Sequence, residues 1–201
     1  MKKTVLKTAT YTLVFALACI GLVFSVLSLF CPMTMSDVYF KTGSNRLSAN
    51  YAVVGAERSG KVDDYATAVE RLSVAGKNED VLRLGKKLLS HKSFTAYASY
   101  RDGQTAGDGQ IAPMGKYADY VTTLMVTALD RTGEGDTAIA FAEEADGDAY
   151  AVRKELTFLA VTSGDKAFMQ KVLDSLLQNP VNDEAYQTDL EILTRLLGAQ
   201  G

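Results

Sequence analysis

The chain has few of the residues that bind transition metals or form disulfides. Its 201 residues include two cysteines and one histidine. Both cysteines, Cys19 and Cys31, belong to an apolar N-terminal segment or to its outer edge, so the rest of the chain cannot form a disulfide framework or a thiolate metal site. A zinc site normally takes several nitrogen or sulfur ligands, which His91 alone does not supply. We therefore expect no bound metal and no cofactor.

Acidic residues are absent from the first 36 positions. Three lysines, Lys2, Lys3 and Lys7, precede the apolar segment, and the chain after it carries the other 18 basic residues against 24 acidic ones. The resulting net charge of −6 in this part argues against a nucleic-acid partner, because binding to phosphates needs a basic surface.

One long stretch carries no charge at all. The uncharged segment runs from residue 8 to residue 36, and residues 11–30 within it are strongly apolar. A helix of this length, at about 1.5 Å rise per residue, spans about 30 Å, the thickness of the hydrocarbon core of a bilayer. Because lipid offers no hydrogen-bond partners to a backbone, such a segment must be helical. The sequence predicts a transmembrane helix at 11–31 after a short N-terminal segment, 1–10.

The three lysines also predict how this helix is oriented. Positively charged flanks stay in the cytoplasm, so we expect residues 1–10 to be cytoplasmic and the rest outside, in a single-pass protein of the cell membrane. A cleaved signal peptide is the alternative, but it usually has an apolar core of about 7–15 residues and a small-x-small cleavage site. The core here is longer, and the candidate sites at 26–28 and 34–36 fit poorly, which favours an uncleaved anchor.

Helical periodicity and glycine turns account for the rest of the chain. Apolar residues recur at helical spacing, and glycines followed by Asp or Asn mark where one helix ends and the next begins. No segment alternates convincingly between apolar and polar residues as a strand would. We predict an all-α protein with a linker at 32–43 and a helical domain at 44–199, interrupted by a Gly- and Asp-rich loop at 102–113. The predicted helices are 45–59, 64–75, 79–89, 93–101, 117–132, 137–145, 149–162, 166–177 and 184–197.

The stretch 125–145 resembles a tetratricopeptide repeat. In it a helix ends at Gly133, a small residue that packs helix against helix follows at Ala138, and another small residue follows at Ala145. Small residues matter because paired helices approach closely only where side chains are short. One looser copy carries Gly76, Val81 and Leu88 in the corresponding positions. Another carries Gly164 and Met169 there, and its Pro180 resembles the proline that ends the repeat.

This resemblance implies an α-solenoid, in which stacked antiparallel helical hairpins bury a continuous core and present a concave surface to proteins or peptides. A stack of antiparallel helices outside that family is the alternative, because it also needs glycine turns. Both architectures place the same helices next to one another.

Short motifs of the penicillin-recognising serine enzymes occur in a setting that does not suit them. S-x-x-K is found at 163–166, K-T-G at 41–43 and S-x-N at 48–50. Their order is the reverse of that family's, and an all-α chain has no strand to carry the K-T-G motif. The acidic residues at 143–148 do not match the twelve-residue calcium loop. We therefore expect no catalytic residues and no metal ligands.

Tyrosines and acids beside the Gly- and Asp-rich loop form the one surface that we single out. Tyr97, Tyr100 and Tyr117 lie at helical spacing next to the loop, and most aromatic residues at such spacing belong to the core. Loops on a rigid scaffold nevertheless carry much of protein recognition. If the domain binds a protein, we expect these tyrosines to form the surface together with Asp102 and Asp108.

Taken together, these patterns predict a membrane-anchored adaptor or scaffold that binds a protein or peptide and is not an enzyme. Two alternatives stay open. In the first, the chain is a structural subunit of a larger membrane complex. In the second, it is a small-ligand receptor or an enzyme that uses the loop as a lid.

Overall fold

The computed structural model describes residues 2–102, 115–146 and 149–198, with the backbone alone for 2–9. Within these ranges every regular element is a helix, which confirms the all-α prediction. The helices are α1 Lys2–Phe30, α2 Pro32–Lys41, α3 Asn45–Ser59, α4 Val62–Val74, α5 Asn78–Leu89, α6 Phe94–Asp102, α7 Tyr117–Arg131, α8 Gly135–Asp146, α9 Lys154–Ser163, α10 Lys166–Gln178 and α11 Glu184–Gly198.

α1 is long and apolar enough to cross a membrane. Its stretch Thr10–Phe30 has 21 residues and a mean hydropathy of 2.7, and its side chains are not buried in the domain. A signal sequence near an N-terminus can also be apolar enough to resemble such a helix. The chain thus has one N-terminal helix that can span a bilayer or act as a signal sequence.

Residues 32–43, assigned to a linker from the sequence, contain a second helix. α2 begins directly after α1 at Pro32, which suits the first position of a helix because its missing N–H needs no partner there. Met35 on α2 is fully buried, and the hydroxyl of Ser48 on α3 donates to the carbonyl of Ser36 at 2.8 Å. α2 is therefore packed into the domain, and α1 joins that domain without a free spacer.

α7 belongs to both hydrophobic cores of the domain. The first core is built from α3 to α7 and the second from α7 to α11. α7 places Val121 and Met125 in the first core and Val126 and Leu129 in the second. The apolar spacing that predicts a helix at 117–132 does not show that α7 is buried on two faces.

Glycines end several helices as expected. Gly60 after α3 has a φ of 66° and Gly164 after α9 has a φ of 69°, a left-handed conformation that costs glycine little. The helices predicted after residue 44 agree with the observed ones within two residues at each end, except at the start of α9. The helix predicted at 11–31 begins earlier in the structure, since α1 starts at Lys2. α9 begins at Lys154 rather than at residue 149, because the residues before it bind the side chain of Asp146.

The positions singled out by the tetratricopeptide resemblance are only partly used for packing. Ala138 is fully buried on α8, but Ala145 is exposed, and Ala142 is buried one turn earlier in its place. In the first looser copy, Val81 and Leu88 are both buried on α5. Small and apolar residues thus occupy the helix contacts, at a spacing that departs from the repeat in α8.

Candidate functional site

A cleft of about 360 Å³ opens between α2, α4 and α6, and we call it the charged cleft. Helical spacing brings its residues to one side of each helix. Met33 and Asp37 stand at i and i+4 on α2, and Tyr97 and Arg101 do so on α6. Met33 follows the end of α1 by three residues, so the cleft lies close to the apolar helix. Its charged side chains are those of Asp37, Asp63, Asp64, Glu70, Lys41, Arg71 and Arg101.

A buried ion pair lies in the wall of the charged cleft. Glu70 is 9% exposed and Arg101 is 6% exposed, and Nη2 of Arg101 lies 3.5 Å from Oε1 of Glu70. Nη1 of Arg101 donates to the Tyr97 hydroxyl at 2.8 Å, and the Tyr117 hydroxyl donates to Oε1 of Glu70 at 2.9 Å. The guanidinium also lies 4.5 Å from the ring centroid of Tyr117, a favourable cation–π distance. The network ties α4, α6 and α7 together.

Burial and the contacts between the side chains have opposite effects on the pKa of each member of this pair. Burial raises the pKa of Glu70, although the charge of Arg101 and the hydrogen bond from Tyr117 act in the opposite direction. Burial alone would lower the pKa of Arg101, but the hydrogen bond to Tyr97 and the attraction of Glu70 outweigh it and raise that pKa. Burial also raises the pKa of Tyr120 to about 12. Burial likewise raises the pKa of Tyr97, so at neutral pH Tyr97 is an uncharged hydrogen-bond partner of the charged Arg101.

Arg71 is the second buried cation of the cleft. It is 9% exposed, its Nη2 lies 3.3 Å from Oδ1 of Asp37, and its guanidinium lies 3.3 Å from the ring centroid of Phe40. Its Nη1 is buried without a hydrogen-bond partner among the described residues. Burial lowers the pKa of Arg71 despite the attraction of Asp37 and Glu70. Arg71 is thus held by one exposed carboxylate and one aromatic face, a less complete set of partners than Arg101 has.

The structure separates the five residues singled out from the sequence. Tyr97 is half-buried and lines the charged cleft, whereas Tyr100 is 62% exposed and does not line it. Tyr117 is fully buried, which corrects its assignment to a surface. Asp102 is exposed, and its Oδ1 accepts from the N–H of Tyr117 at 2.6 Å, so it caps the start of α7. Asp108 lies outside the described residues.

The charged residues that dominate the cleft were not singled out from the sequence. Glu70 follows the core residue Ala66 by four positions, and Arg101 follows the core residue Phe94 by seven. A charged residue at such a position on an apolar helix face indicates a buried charge that needs a partner. This spacing could have identified Glu70 and Arg101 as buried charges in the sequence, but it does not show that they pair with each other.

Ser163, which belongs to the S-x-x-K motif, and His91 both form hydrogen bonds at turns between helices. The hydroxyl of Ser163 donates to the carbonyl of Ala160 at 2.8 Å and accepts from the N–H of Asp165 at 3.1 Å. Nδ1 of His91 accepts from the N–H of Ser93 at 3.2 Å, which leaves Nε2 to donate to the carbonyl of Gly60. These contacts complete turns between helices, and they place no base next to a nucleophile.

The positions of the acidic side chains, the cysteines and the histidine also bear on metal binding. In the part of the chain that the structure describes, no group of three or more His, Cys, Asp or Glu side chains converges on a point that could hold an ion. Asp148, a member of the acidic stretch considered above, lies outside the described residues.

Comparisons with known proteins add no relative. No protein family matches the chain, and neither a curated protein nor a solved structure is similar to it.

The raised pKa of Glu70 predicts how stability depends on pH. As pH rises from below the ordinary value of 4.5, Glu70 ionises first in the unfolded chain, so the free energy of unfolding falls until the pH passes the raised pKa. We expect the stability difference between the wild type and Glu70→Gln to decrease from pH 4 to pH 7, measured by chemical unfolding of the full chain in detergent.

Glu57 supplies a control of opposite sign. The hydrogen bond from Arg83 lowers its pKa, so the contribution of the Glu57 carboxylate is lost as pH falls through that lowered pKa, and the difference from Glu57→Gln should increase with pH. A Glu70 difference that rises with pH would contradict burial as the dominant cause.

Proposed function

We propose that this protein is a single-pass membrane protein whose helical domain lies outside the cytoplasm and binds a protein or peptide. The apolar length of α1 and the lysines before it support this orientation, because positively charged flanks stay in the cytoplasm. The proposal makes the domain an adaptor or scaffold that holds its partner next to the bilayer.

The observation that carries the proposal is the charged cleft. It lies beside the membrane helix, and its wall combines both signs of charge with the rings of Phe40 and Tyr97. Small cofactor sites are mostly apolar and few polar groups point into them, whereas protein interfaces combine aromatic anchors with charged rims. A peptide segment that carries both basic and acidic side chains is the ligand class that fits this wall.

We also propose that α3 to α11 form a tetratricopeptide-like array. Support comes from the packing of helices on their neighbours in sequence, from the contacts of α7 with α5 and α9, and from the buried alanines of α8. In such an array each hairpin contacts mainly the adjacent ones, which leaves an extended surface for a partner.

Affinity recovery from native membranes tests the proposed function. The full chain should recover a partner that a chain ending after the membrane helix does not recover. Within the full chain, Lys41→Glu reverses a charge at the cleft, and we expect it to weaken recovery several-fold. The matched control Lys92→Glu reverses an exposed charge that does not line the cleft and should leave recovery unchanged. Equal recovery by the anchor alone would refute the proposal.

A structural subunit of a larger membrane complex is the second candidate. It is favoured by large apolar side chains that are exposed on the last three helices, namely Phe158 on α9, Leu177 on α10 and Leu196 on α11. Exposed apolar groups of this kind are typical of protein interfaces. The recovery experiment separates the candidates, because such a subunit would be recovered in an assembly of fixed composition that charge reversal at the cleft does not alter.

A further inference from the structure

One side of α3 presents a row of residues to the outside of the domain. Leu47, Tyr51, Val54 and Arg58 stand at i, i+4, i+7 and i+11, so they share one face of the helix, and we call them the α3 stripe. Leu47 is 45% exposed and Val54 is 44% exposed. The opposite face of α3, which includes Ala52, is packed into the first core. The stripe is therefore an exposed face of a helix whose opposite face is buried.

Two residues of the α3 stripe bind the last turn of the membrane helix. The Tyr51 hydroxyl donates to Oγ of Ser28 at 3.0 Å, and Nη1 of Arg58 donates to the carbonyl of Leu29. The carbonyls in the last turn of a helix have no partner within that helix, and Pro32 supplies no N–H to this turn. Arg58 thus supplies a donor to one carbonyl at the end of α1.

These contacts place the stripe at the level of the last turn of α1, measured along the axis of α1. Tyr51 and Arg58 are seven residues apart, about 10.5 Å along α3, yet they reach adjacent residues of α1. α3 therefore passes across the end of α1, and Val54 lies between the two anchoring residues. The apolar stretch of α1 ends at Phe30, so Ser28 and its neighbour mark the level at which the hydrocarbon region would end.

The chemistry of the α3 stripe matches that level of a bilayer. Tyrosine is enriched at the membrane–water boundary, and interfacial helices combine apolar residues with arginine or lysine. Tyr39 stacks on Tyr51 with ring centroids 5.5 Å apart, which adds a second ring beside the stripe. Arg58 makes no ion pair with a carboxylate of the described residues, so its charge is available to lipid phosphates.

We propose that the α3 stripe lies in the headgroup layer of the bilayer, with Leu47 and Val54 against the acyl boundary and Arg58 among the phosphates. This inference rests on the membrane span proposed above for α1. α2 packs on both α3 and α1, and it lines the charged cleft. Contact between the stripe and lipid would therefore hold the cleft at a fixed height and orientation above the membrane.

The absence of tryptophan from the chain makes this proposal directly measurable. Val54→Trp is made in the full chain and reconstituted into phosphatidylcholine–phosphatidylglycerol vesicles that contain lipids brominated near the headgroup. We expect about twofold quenching of its emission by these lipids, because interfacial residues lie within the headgroup and acyl boundary. The matched control is Val74→Trp on α4, whose native side chain is 45% exposed, and it should not be quenched.

Two further tryptophan variants make each outcome decisive. Leu47→Trp repeats the test at a second position of the stripe, so a folding defect at one position does not decide the result. Ile20→Trp, in the middle of the apolar stretch, reports insertion of α1 through quenching by lipids brominated deep in the acyl chain.

The pattern of quenching separates this inference from the membrane span itself. Quenching at Ile20→Trp, Val54→Trp and Leu47→Trp but not at Val74→Trp supports the inference. Quenching at Ile20→Trp alone overturns it and leaves the span intact, and no quenching at Ile20→Trp overturns both. Protection of Val54→Trp from both brominated lipid and aqueous iodide also overturns the inference, because protein rather than lipid would then cover the stripe.

Discussion

Replacing Asp146 with alanine is expected to lower the free energy of unfolding by about 3–5 kcal/mol. Its Oδ1 accepts from the N–H groups of Ala151 at 2.9 Å and Val152 at 2.7 Å, and its Oδ2 accepts from the N–H of Arg153 at 2.8 Å. The carboxylate also pairs with the Arg153 guanidinium, and both side chains are 1% exposed. Alanine would leave three backbone donors and a buried cation without this acceptor.

The expected loss is large relative to the whole stability of a domain, which is about 5–15 kcal/mol. Arg153 also donates to the carbonyls of Asn179 and Ala149, so it connects the junction of α8 and α9 to the end of α10. Loss of the carboxylate should therefore loosen all three helices. Guanidinium unfolding of the full chain in detergent, followed by circular dichroism, measures the effect.

Asp136→Ala is the matched control on the same helix. Asp136 pairs with Lys171 at 2.6 Å, but the two side chains are 76% and 54% exposed. An exposed ion pair of this kind contributes at most about 1 kcal/mol, because water screens it and ordering the side chains costs entropy. Similar losses for the two alanine variants would show that the buried junction at Asp146 does not stabilise the fold as described.

Replacing Arg101 with methionine is expected to cost about 3–5 kcal/mol, because it leaves Glu70 buried without its cation. The double variant Glu70→Gln with Arg101→Met should be more stable than Arg101→Met alone, since glutamine carries no charge to bury and still accepts from the Tyr117 hydroxyl. A double-mutant cycle measures this coupling. Additive losses would contradict the ion pair in the wall of the charged cleft.

Local features of the fold could be predicted from the sequence because their causes are local. Gly60 and Gly164 each end a helix in a left-handed backbone conformation. Glycine adopts this conformation at lower cost than other residues, so the helix ends could be predicted from the glycines. α7 was recognised from its apolar spacing, but the spacing did not show that it serves two cores. The number of faces that a helix buries depends on how many neighbours pack on it, which periodicity does not record.

Features that depend on distant contacts were predicted less well. Residues 32–43 were predicted to be a linker, but α2 begins at Pro32, because proline suits the first position of a helix as well as a break between helices. Residues 149–153 were assigned to a helix although Asp146 binds their backbone instead. Glu70 and Arg101 lie 31 positions apart, and nothing in their separate helices indicates that they meet.

The same reasoning explains why the tyrosines singled out from the sequence differ in exposure. Tyrosines at helical spacing look alike in sequence, but Tyr117 is buried beneath Arg101 while Tyr100 faces solvent. The difference arises from α4, which brings Glu70 to the Tyr117 hydroxyl. Position on a single helix does not determine exposure when a third helix supplies the partner.

We propose that the charged cleft binds a protein at the membrane, and site-specific crosslinking in living cells tests this proposal most directly. A photo-reactive residue replaces Thr67, which lines the cleft, or Thr188, an exposed residue of α11 that does not. After capture and mass spectrometry, our account predicts one or two membrane or envelope proteins crosslinked from Thr67 and not from Thr188. Crosslinks from Thr67 only to further copies of this chain, or to nothing, would contradict it.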